Sequence, residues 1–573
     1  MKKVLIILIF ILLIAGGYYF LFMKRTPAGK NLLSKSNVSA EEIPVVIIPH
    51  FNVFAEKRAE LLKQVGSNYK PETAIVVSVN HFNSGSSNII TGEKTWTLDG
   101  GNVSADAELV KKLASSGIAK SDETAFSNEH GITNVLPDVR DDISKNILPI
   151  IIKDTAKREE IDKLLSWLND NCKDCLLVAS VDFSHYQPSA IARVHDQFSI
   201  QALENLDEGK IWAAETDSVQ TLYLAEKVAE RNEAKNFNLF YNNNSGKEAG
   251  SDDAETTSVV LGYYSNKASG KTEPSTSFII AGDAMFDRNV WQTFQKSGLN
   301  HIFDNFGTRV FRGSDLAVIN LEGPVSSVSV PGIQTGGMSF NFQPEVPKTL
   351  KYLNIGQVSL ANNHTNNAGS SGFKSTKSML EKSAIKYFGQ PVGFDQDASV
   401  LRVNGGIPVS IIGIMALDDF DQSALEATIK SEKTAGQTVI IFPHWGTEYA
   451  EKHSASQESM AKSWTAAGAD MIIGSHPHVT EDFELIAGKP VIYSLGNFVF
   501  DQYFSAETQQ GLILAGTISK DKITLSFLPT VEKKIKPEFM TGSNKSEKIK
   551  TIFDINSNAG FVKLTSDTIE ISR

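Results

Sequence analysis

Five apolar runs in the second half of the chain each end on residues able to bind a divalent cation. Phe278–Ala281 leads into Gly282-Asp283, Leu316–Leu321 into Glu322, and Val358–Ala361 into Asn362-Asn363-His364. Thr438–Phe442 leads into Pro443-His444, and Met471–Ile473 into Gly474-Ser475-His476-Pro477-His478. Carboxylate, amide oxygen and imidazole together suit Mn²⁺, Zn²⁺ or Fe²⁺. Two such ions about 4 Å apart can bind a phosphoryl group and generate a hydroxide nucleophile. A single His after a strand is more often a hydrogen-bonded structural residue. The repeated strand-end pattern, with Pro477 holding His476 and His478 on an extended path, points instead to one shared site.

A second, sparser set precedes it. Val45–Pro49 leads into His50, Ala74–Asn80 into His81, and Leu176–Val181 into Asp182-Phe183-Ser184-His185. Glu129-His130 lies in a loop between a helical and a strand-like stretch. Two or three His with a carboxylate can hold a non-haem Fe(II) or a Cu ion. Taken separately, each of these residues reads as structural.

These residues converge only if parallel strands present their carboxyl ends on one rim, as open α/β sheets do around ligands. The pattern supports two such α/β domains, at 43–264 and 278–530. Strand-like runs at Val45–Ile48, Ala74–Val79, Ile147–Ile152 and Leu176–Val181 alternate with amphipathic stretches such as Lys157–Asn169 and Ala190–Leu206. Residues 265–277, rich in Ser, Thr, Lys and Gly, read as a linker. An accessory β segment is expected at 531–573, with short runs at Phe561–Thr565 and Ile569–Ile571.

At 573 residues the chain is too long for one core. Its net charge of −11 gives nucleic acid no reason to bind. The run Val4–Met23 carries no charge and is flanked by Lys2-Lys3 and Lys24-Arg25. Twenty helical residues rise about 30 Å, so 4–23 is expected to be a single transmembrane anchor, followed by a polar tether at 24–42. Cell-membrane attachment with the bulk of the chain outside the cytoplasm follows from that expectation. Cys172 and Cys175 are the two cysteines. They read either as a small disulfide or as two thiols in a helix-to-strand loop.

Six stretches resemble the capsule-synthesis CapA proteins, the poly-γ-glutamate biosynthesis PgsA type. They are Gly282-Asp283-Ala284-Met285-Phe286-Asp287-Arg288, Asn320-Leu321-Glu322, Ala361-Asn362-Asn363-His364, His444-Trp445-Gly446-Thr447-Glu448-Tyr449, Gly468–His478 and Tyr493-Ser494-Leu495-Gly496-Asn497-Phe498. The resemblance spans 276–530 and implies a calcineurin-like metallophosphatase sandwich. It implies metal ligation by Asp283, Glu322, Asn363, His444, His476 and His478. His364, with Asp283 and Asn363, would be catalytic, and Arg288, Glu448 and Gln457 would face substrate. Two positions depart from the pattern. Such enzymes begin Asp-x-His where this chain has Met285, and relatives carry Asp three residues after the Asn-His pair where it has Asn367.

Residues 43–264 resemble the MEMO family (AmmeMemoRadiSam system protein B), related in fold to class III extradiol dioxygenases. The matching residues include Pro49-His50, Asn80-His81-Phe82, Glu129-His130-Gly131, Ser180-Val181-Asp182-Phe183-Ser184-His185-Tyr186 and Asn244-Ser245-Gly246. A second metal site, for Fe or Cu, is implied at His50, His81, Asp182 and His185. The family's late cysteine would align near Asp217-Ser218, where this chain has none.

The expected whole is a membrane-anchored, metal-dependent phosphoesterase-type hydrolase in capsule or poly-γ-glutamate synthesis. Its expected partners are an acidic polymer or phosphoester, the membrane through its N-terminal helix, and capsule-synthesis membrane subunits. Two alternatives accompany it: a non-catalytic subunit that binds metal and polymer, and redox chemistry in the upstream domain.

Overall fold

The computed structural model describes residues 41–253, 255–268, 270–327, 339–553 and 567–573. Their contacts divide into two compact units. One is the described part of Met1–Val181 with Gln220–Phe240 and Leu261–Ser269; the other is Asp182–Val219, Tyr241–Val260 and Gly270–Arg573.

The first unit is built on a mostly parallel sheet. Cys175–Ser180 lies between Val45–Ile48 and Thr73–Val79, parallel to both, and Thr73–Val79 pairs in parallel with Asn146–Ile152. The strands are nearly continuous apolar runs (VVII, TAIVVSV, NILPIII, CLLVAS) because both of their faces are covered. Helix Arg158–Asn171 buries Ile161, Leu164, Leu165 and Leu168, the spacing of a single helical stripe. A disulfide, Cys172–Cys175, closes the turn between this helix and strand Cys175–Ser180.

The second unit contains two sheets. The first runs Lys386–Phe388, Gln357–Ser359, Leu316–Leu321, Ser275–Ala284, Gln510–Ser519, Lys522–Lys533, Lys536–Phe539. The second runs Val400–Asn404, Pro408–Met415, Thr438–His444, Met471–Ile473, Lys489–Ile492, Phe483–Ile486. Strand alternation explains how they pack. Phe278, Ile280, Leu316 and Val318 of the first sheet share one core with Val409, Ile411, Ile440 and Phe442 of the second. Their neighbours Ile279, Ala281, Ala317 and Ile319 face the opposite way into a second core. Ile412, Ile414, Val439 and Ile441 do the same in a third, with Leu425, Ile429, Ala461 and Trp464 from two helices. Each fully buried Ile, Leu or Phe contributes about 1.5–3 kcal/mol, so these three layers fix the relation of the two sheets.

Helix Ser189–Asn205 contributes Ala190, Ile191 and Val194 to the core outside the first sheet. Gln201 donates to Ser275 Oγ at 2.7 Å, and Lys210 pairs with Asp315 at 2.6 Å. Thr568–Ser572 adds an antiparallel strand to Lys522–Lys533, whereas the run expected at Phe561–Thr565 lies outside the described residues.

The expectation of a transmembrane helix, and of single-pass membrane localisation with it, is corrected. Among the described residues no helix is long and apolar enough to cross a membrane. Ser189–Asn205, of 17 residues, is short of the ~20 apolar residues a bilayer core requires, and it carries Arg193, His195, Asp196 and Glu204. The segment 4–23 lies outside the described residues.

Candidate metal centre

In the second unit the parallel strands Ser275–Ala284, Leu316–Leu321 and Gln357–Ser359 end on one side. So do Pro408–Met415, Thr438–His444 and Met471–Ile473. Their last residues meet at a common rim. Asp283 and Glu322 are fully buried, and His444, His476 and His478 nearly so. Asn320 bridges the two acids: its Nδ2 donates to Asp283 Oδ1 at 2.8 Å and lies 3.3 Å from Glu322 Oε2. His478 Nδ1 is 3.3 Å from Asp283 Oδ2, and its Nε2 is 3.4 Å from Glu322 Oε1. His444 Nε2 lies 3.0 Å from Asn363 Oδ1 and 3.2 Å from His476 Nδ1. Thus the six ligand positions expected for the downstream domain, Asp283, Glu322, Asn363, His444, His476 and His478, fall in this one cluster.

The donors form two sets, each with its ligand atoms within 4.8 Å of one another. One is Asp283, Glu322 and His444; the other is Glu448, His476 and His478. The electrostatics fit a cation site. Burial, and then the neighbouring Asp283 charge, hold Glu322 well above the usual carboxylate range. Burial also pushes Asp283 up, but His478, Asn320 and the His476 N–H outweigh it and leave Asp283 lowered. Burial followed by mutual repulsion drives His444 far down and His476 to about 4, so both rings are neutral and present lone pairs. Glu322 Oε1 is buried without a hydrogen-bond donor. Two adjacent buried carboxyls, neutral imidazoles and an undonated oxygen are a donor set that a divalent cation satisfies.

His364 stands at the edge of this cluster, its Nε2 3.9 Å from Glu322 Oε1. Its Nδ1 meets Asn367 Oδ1 at 3.0 Å, and that oxygen also accepts the Phe340 N–H at 2.8 Å. An amide oxygen only accepts, so the His364 proton sits on Nδ1 and Nε2 is bare. Asn367 thus orients the ring where relatives are expected to use Asp. Met285 is wholly buried in the core outside the first sheet, its Sδ accepting the Asp287 N–H, and it offers no ligand to the rim. Asn362 turns away from the cluster: its Oδ1 accepts from the His364 and Thr365 backbone, and its Nδ2 donates to Asn320 Oδ1.

A cleft of about 640 Å³ opens beside the cluster. His364, Glu448 and His478 line its floor side, with Arg288, Trp291, Phe340, Tyr449, Phe500, Asp501 and Phe504 around them. Arg288 pairs with Asp501 and lies over the rings of Phe340 and Phe500, at 5.0 and 5.8 Å. Gln457, instead of facing the cleft, donates to buried Glu481 at 2.8 Å.

In the first unit His50, His81 and His130 bring ligand nitrogens within 4.8 Å of one another. His50 follows strand Val45–Ile48 and His81 follows Thr73–Val79. Buried Glu129 fixes His81, accepting its backbone N–H at 3.0 Å and meeting Nδ1 at 2.6 Å. His130, noted in the sequence with Glu129 but not included in the four implied ligands, joins His50 and His81 here, and Glu129 also accepts the Gly131 N–H. Asp182 and His185 belong to the second unit. Asp182 N–H donates to Asp217 there, and His185 begins the strand His185–Gln187.

Comparison with known proteins matches both halves. Residues 277–502 match the family model described as bacterial capsule synthesis protein PGA_cap, and 22–257 match the Memo-like protein model. The chain joins a Memo-like domain to a PGA_cap domain. It is similar to the capsule biosynthesis protein CapA of Bacillus anthracis, 28% identical over 41% of this chain and 62% of that protein. The PGA biosynthesis protein CapA of Bacillus subtilis (strain 168) is 29% identical over 42% of this chain and 66% of its own length. A MEMO1 family protein of Methanopyrus kandleri is 26% identical over 32% of this chain and 68% of its own. The chain thus covers less than two thirds of either CapA protein. The PGA_cap match encloses Asp283 to His478, every residue of the buried cluster.

Proposed function

We propose that the PGA_cap domain is a divalent-cation-dependent phosphoesterase that acts in the synthesis of a capsule polymer, such as the poly-γ-glutamate of its CapA relatives. The observation that carries this reading is the pair of donor sets, Asp283–Glu322–His444 and Glu448–His476–His478, sharing one buried rim. Mn²⁺, Zn²⁺ or Fe²⁺ suits these donors, and Fe or Cu suits the histidines of the first unit. Bound there, a divalent ion supplies Lewis acidity toward a phosphoryl oxygen and lowers the pKa of water.

The residues' own parts follow from their contacts. Asn363 and Ser475 orient His444. Asn497 Oδ1, 3.1 Å from His478 Nδ1, steadies that ring. His364, lowered by burial against the opposing pull of the Asn367 contact, keeps its proton on Nδ1 and offers Nε2 as proton acceptor beside the cleft. Hydrolysis forms one P–O bond from water and breaks the ester P–O bond. His364 Nε2 takes one proton from the attacking water and returns it to the departing oxygen, while the water's second proton stays on the new phosphate oxygen, giving an alcohol and phosphate.

The test is hydrolysis of p-nitrophenyl phosphate by the full chain with Mn²⁺, together with metal content by elemental analysis. Turnover that His476→Ala abolishes supports the reading. A full chain that binds no divalent ion overturns it. The burial of Met285 away from the rim favours a second reading, in which the domain holds metal and polymer without turnover. Stoichiometric metal without hydrolysis is the result that selects it.

A further inference from the structure

The cleft beside the buried cluster is walled by aromatic rings that the metal chemistry does not use. Tyr449 is 42% exposed and Phe504 is 65% exposed. Their rings meet at 90° with centroids 4.9 Å apart, forming a corner of two apolar faces. Tyr449 is tied directly to the cluster: its N–H donates to Pro477 O at 2.8 Å, between the two histidines of the second donor set. Its ring centroid is 6.3 Å from that of His478.

Four residues at or near this corner and the donor sets have left-handed backbone. Arg288, Tyr449, His476 and His478 have φ of 48°, 67°, 101° and 59°. Each such residue costs on the order of 1–3 kcal/mol unless its surroundings enforce it, and such residues concentrate where a ligand is held. The charged and amide lining completes the picture. Among the described residues that line the cleft, Asp287, Glu448 and Asp501 are acidic, Arg288 is the one Lys or Arg and is paired with Asp501, and Asn289, Gln292 and Gln502 are neutral amides.

That balance does not suit a polyanionic chain, so the group placed in this cleft is a smaller ester used in making the polymer and not the polymer itself. Carboxylate and amide oxygens suit hydroxyl donors, and an exposed aromatic corner suits a ring with C–H groups on more than one face. A puckered sugar presents C–H groups to both perpendicular faces at once, whereas a flat nucleobase stacks on one and meets the other only with its edge. Resting on the cation-dependent phosphoesterase reading above, we propose that the substrate is a sugar phosphoester: its phosphoryl group lies at the buried cluster and its sugar ring sits in the Tyr449–Phe504 corner.

The experiment is calorimetric titration of the full chain with glucose 1-phosphate, inorganic phosphate, glucose and adenosine, with Mn²⁺ and after chelation. With Mn²⁺, glucose 1-phosphate binds roughly tenfold more tightly than phosphate, the size of a good aromatic contact. Tyr449→Ala and Phe504→Ala each reduce that advantage while leaving metal content and phosphate affinity intact. Persistence of glucose binding in the chelated chain supports the corner even if the cation reading fails. Equal affinity for glucose 1-phosphate and phosphate, an advantage that survives both substitutions, or tighter binding of adenosine than of glucose overturns the proposal.

Discussion

His364 and Asn367 show how much one side-chain atom decides. Asn367 Oδ1 receives both the Phe340 N–H and the His364 ring, so Asn367→Ala frees the ring to turn without touching a donor of either set. Turnover should drop about 10²–10³-fold with metal content unchanged; a variant that keeps its rate shows that His364 does not act through that orientation. A second pair lies away from the rim. His453 stacks on Tyr493 at 3.9 Å, and its Nδ1 meets both Asp482 oxygens at 3.1 Å. The Asp482 bond raises His453, and Asp482, pushed up by burial, is brought below its ordinary value by His453. The histidine's contribution is therefore complete below its unfolded pKa, about 6.5, and fades as pH rises through the raised value. The carboxylate's contribution is present above about 3.9 and fades in acid. Denaturation midpoints of wild type and His453→Gln should differ most between about pH 4 and 6.5 and converge toward pH 9; a constant difference would show that stacking alone matters. The donors were readable from sequence because each stands at the end of an apolar run. Glu448 was read as substrate-facing instead of as a donor, and Asn320 was given no role of its own, because their roles depend on neighbours 28 or more residues away.

Elements position the rim through close backbone approach. Gly474 ends strand Met471–Ile473 where any Cβ would lie 2.0 Å from Tyr493 O and 2.4 Å from Trp445 Nε1. Those two atoms form a buried hydrogen bond of 2.8 Å. Gly474→Ala should destabilise the chain by roughly 1–3 kcal/mol and lower its divalent metal content, since the loop bearing His476 and His478 begins at the next residue. Unchanged denaturation midpoint and metal content would contradict this. Helix Ala455–Ala467 is a plainer case of local legibility. Ser454 caps it, Gln457 completes the reciprocal cap, and Gly468 at φ 120° ends it. Its buried Ala461 and Trp464 follow the helical period visible in the sequence. By contrast, nothing local foretells that Ser275–Ala284 pairs with Gln510–Ser519, because that register is set by long-range burial.

At the scale of the molecule, the compact units do not follow the chain in order. Sequence patterning divides the protein at the polar stretch 265–277, yet Asp182–Val219 and Tyr241–Val260 pack with Gly270–Arg573. Patterning marks where strands and helices lie, but which unit a helix joins depends on partners far along the chain. A fragment starting at Gly270 would lose Ala190, Ile191 and Val194 from its core, as well as the Gln201–Ser275 and Lys210–Asp315 bonds. It should melt well below the full chain or aggregate, as followed by circular dichroism; an equal melting temperature would mean that these segments carry no stability. This interleaving sets the timetable of synthesis. Helix Ser189–Asn205 leaves the ribosome before strand Gln510–Ser519 has been translated. At about 5–20 residues per second, its apolar flank waits roughly tens of seconds for that strand. The nascent polypeptide therefore passes through a prolonged exposed stage, during which holdase chaperones are the natural guard against aggregation.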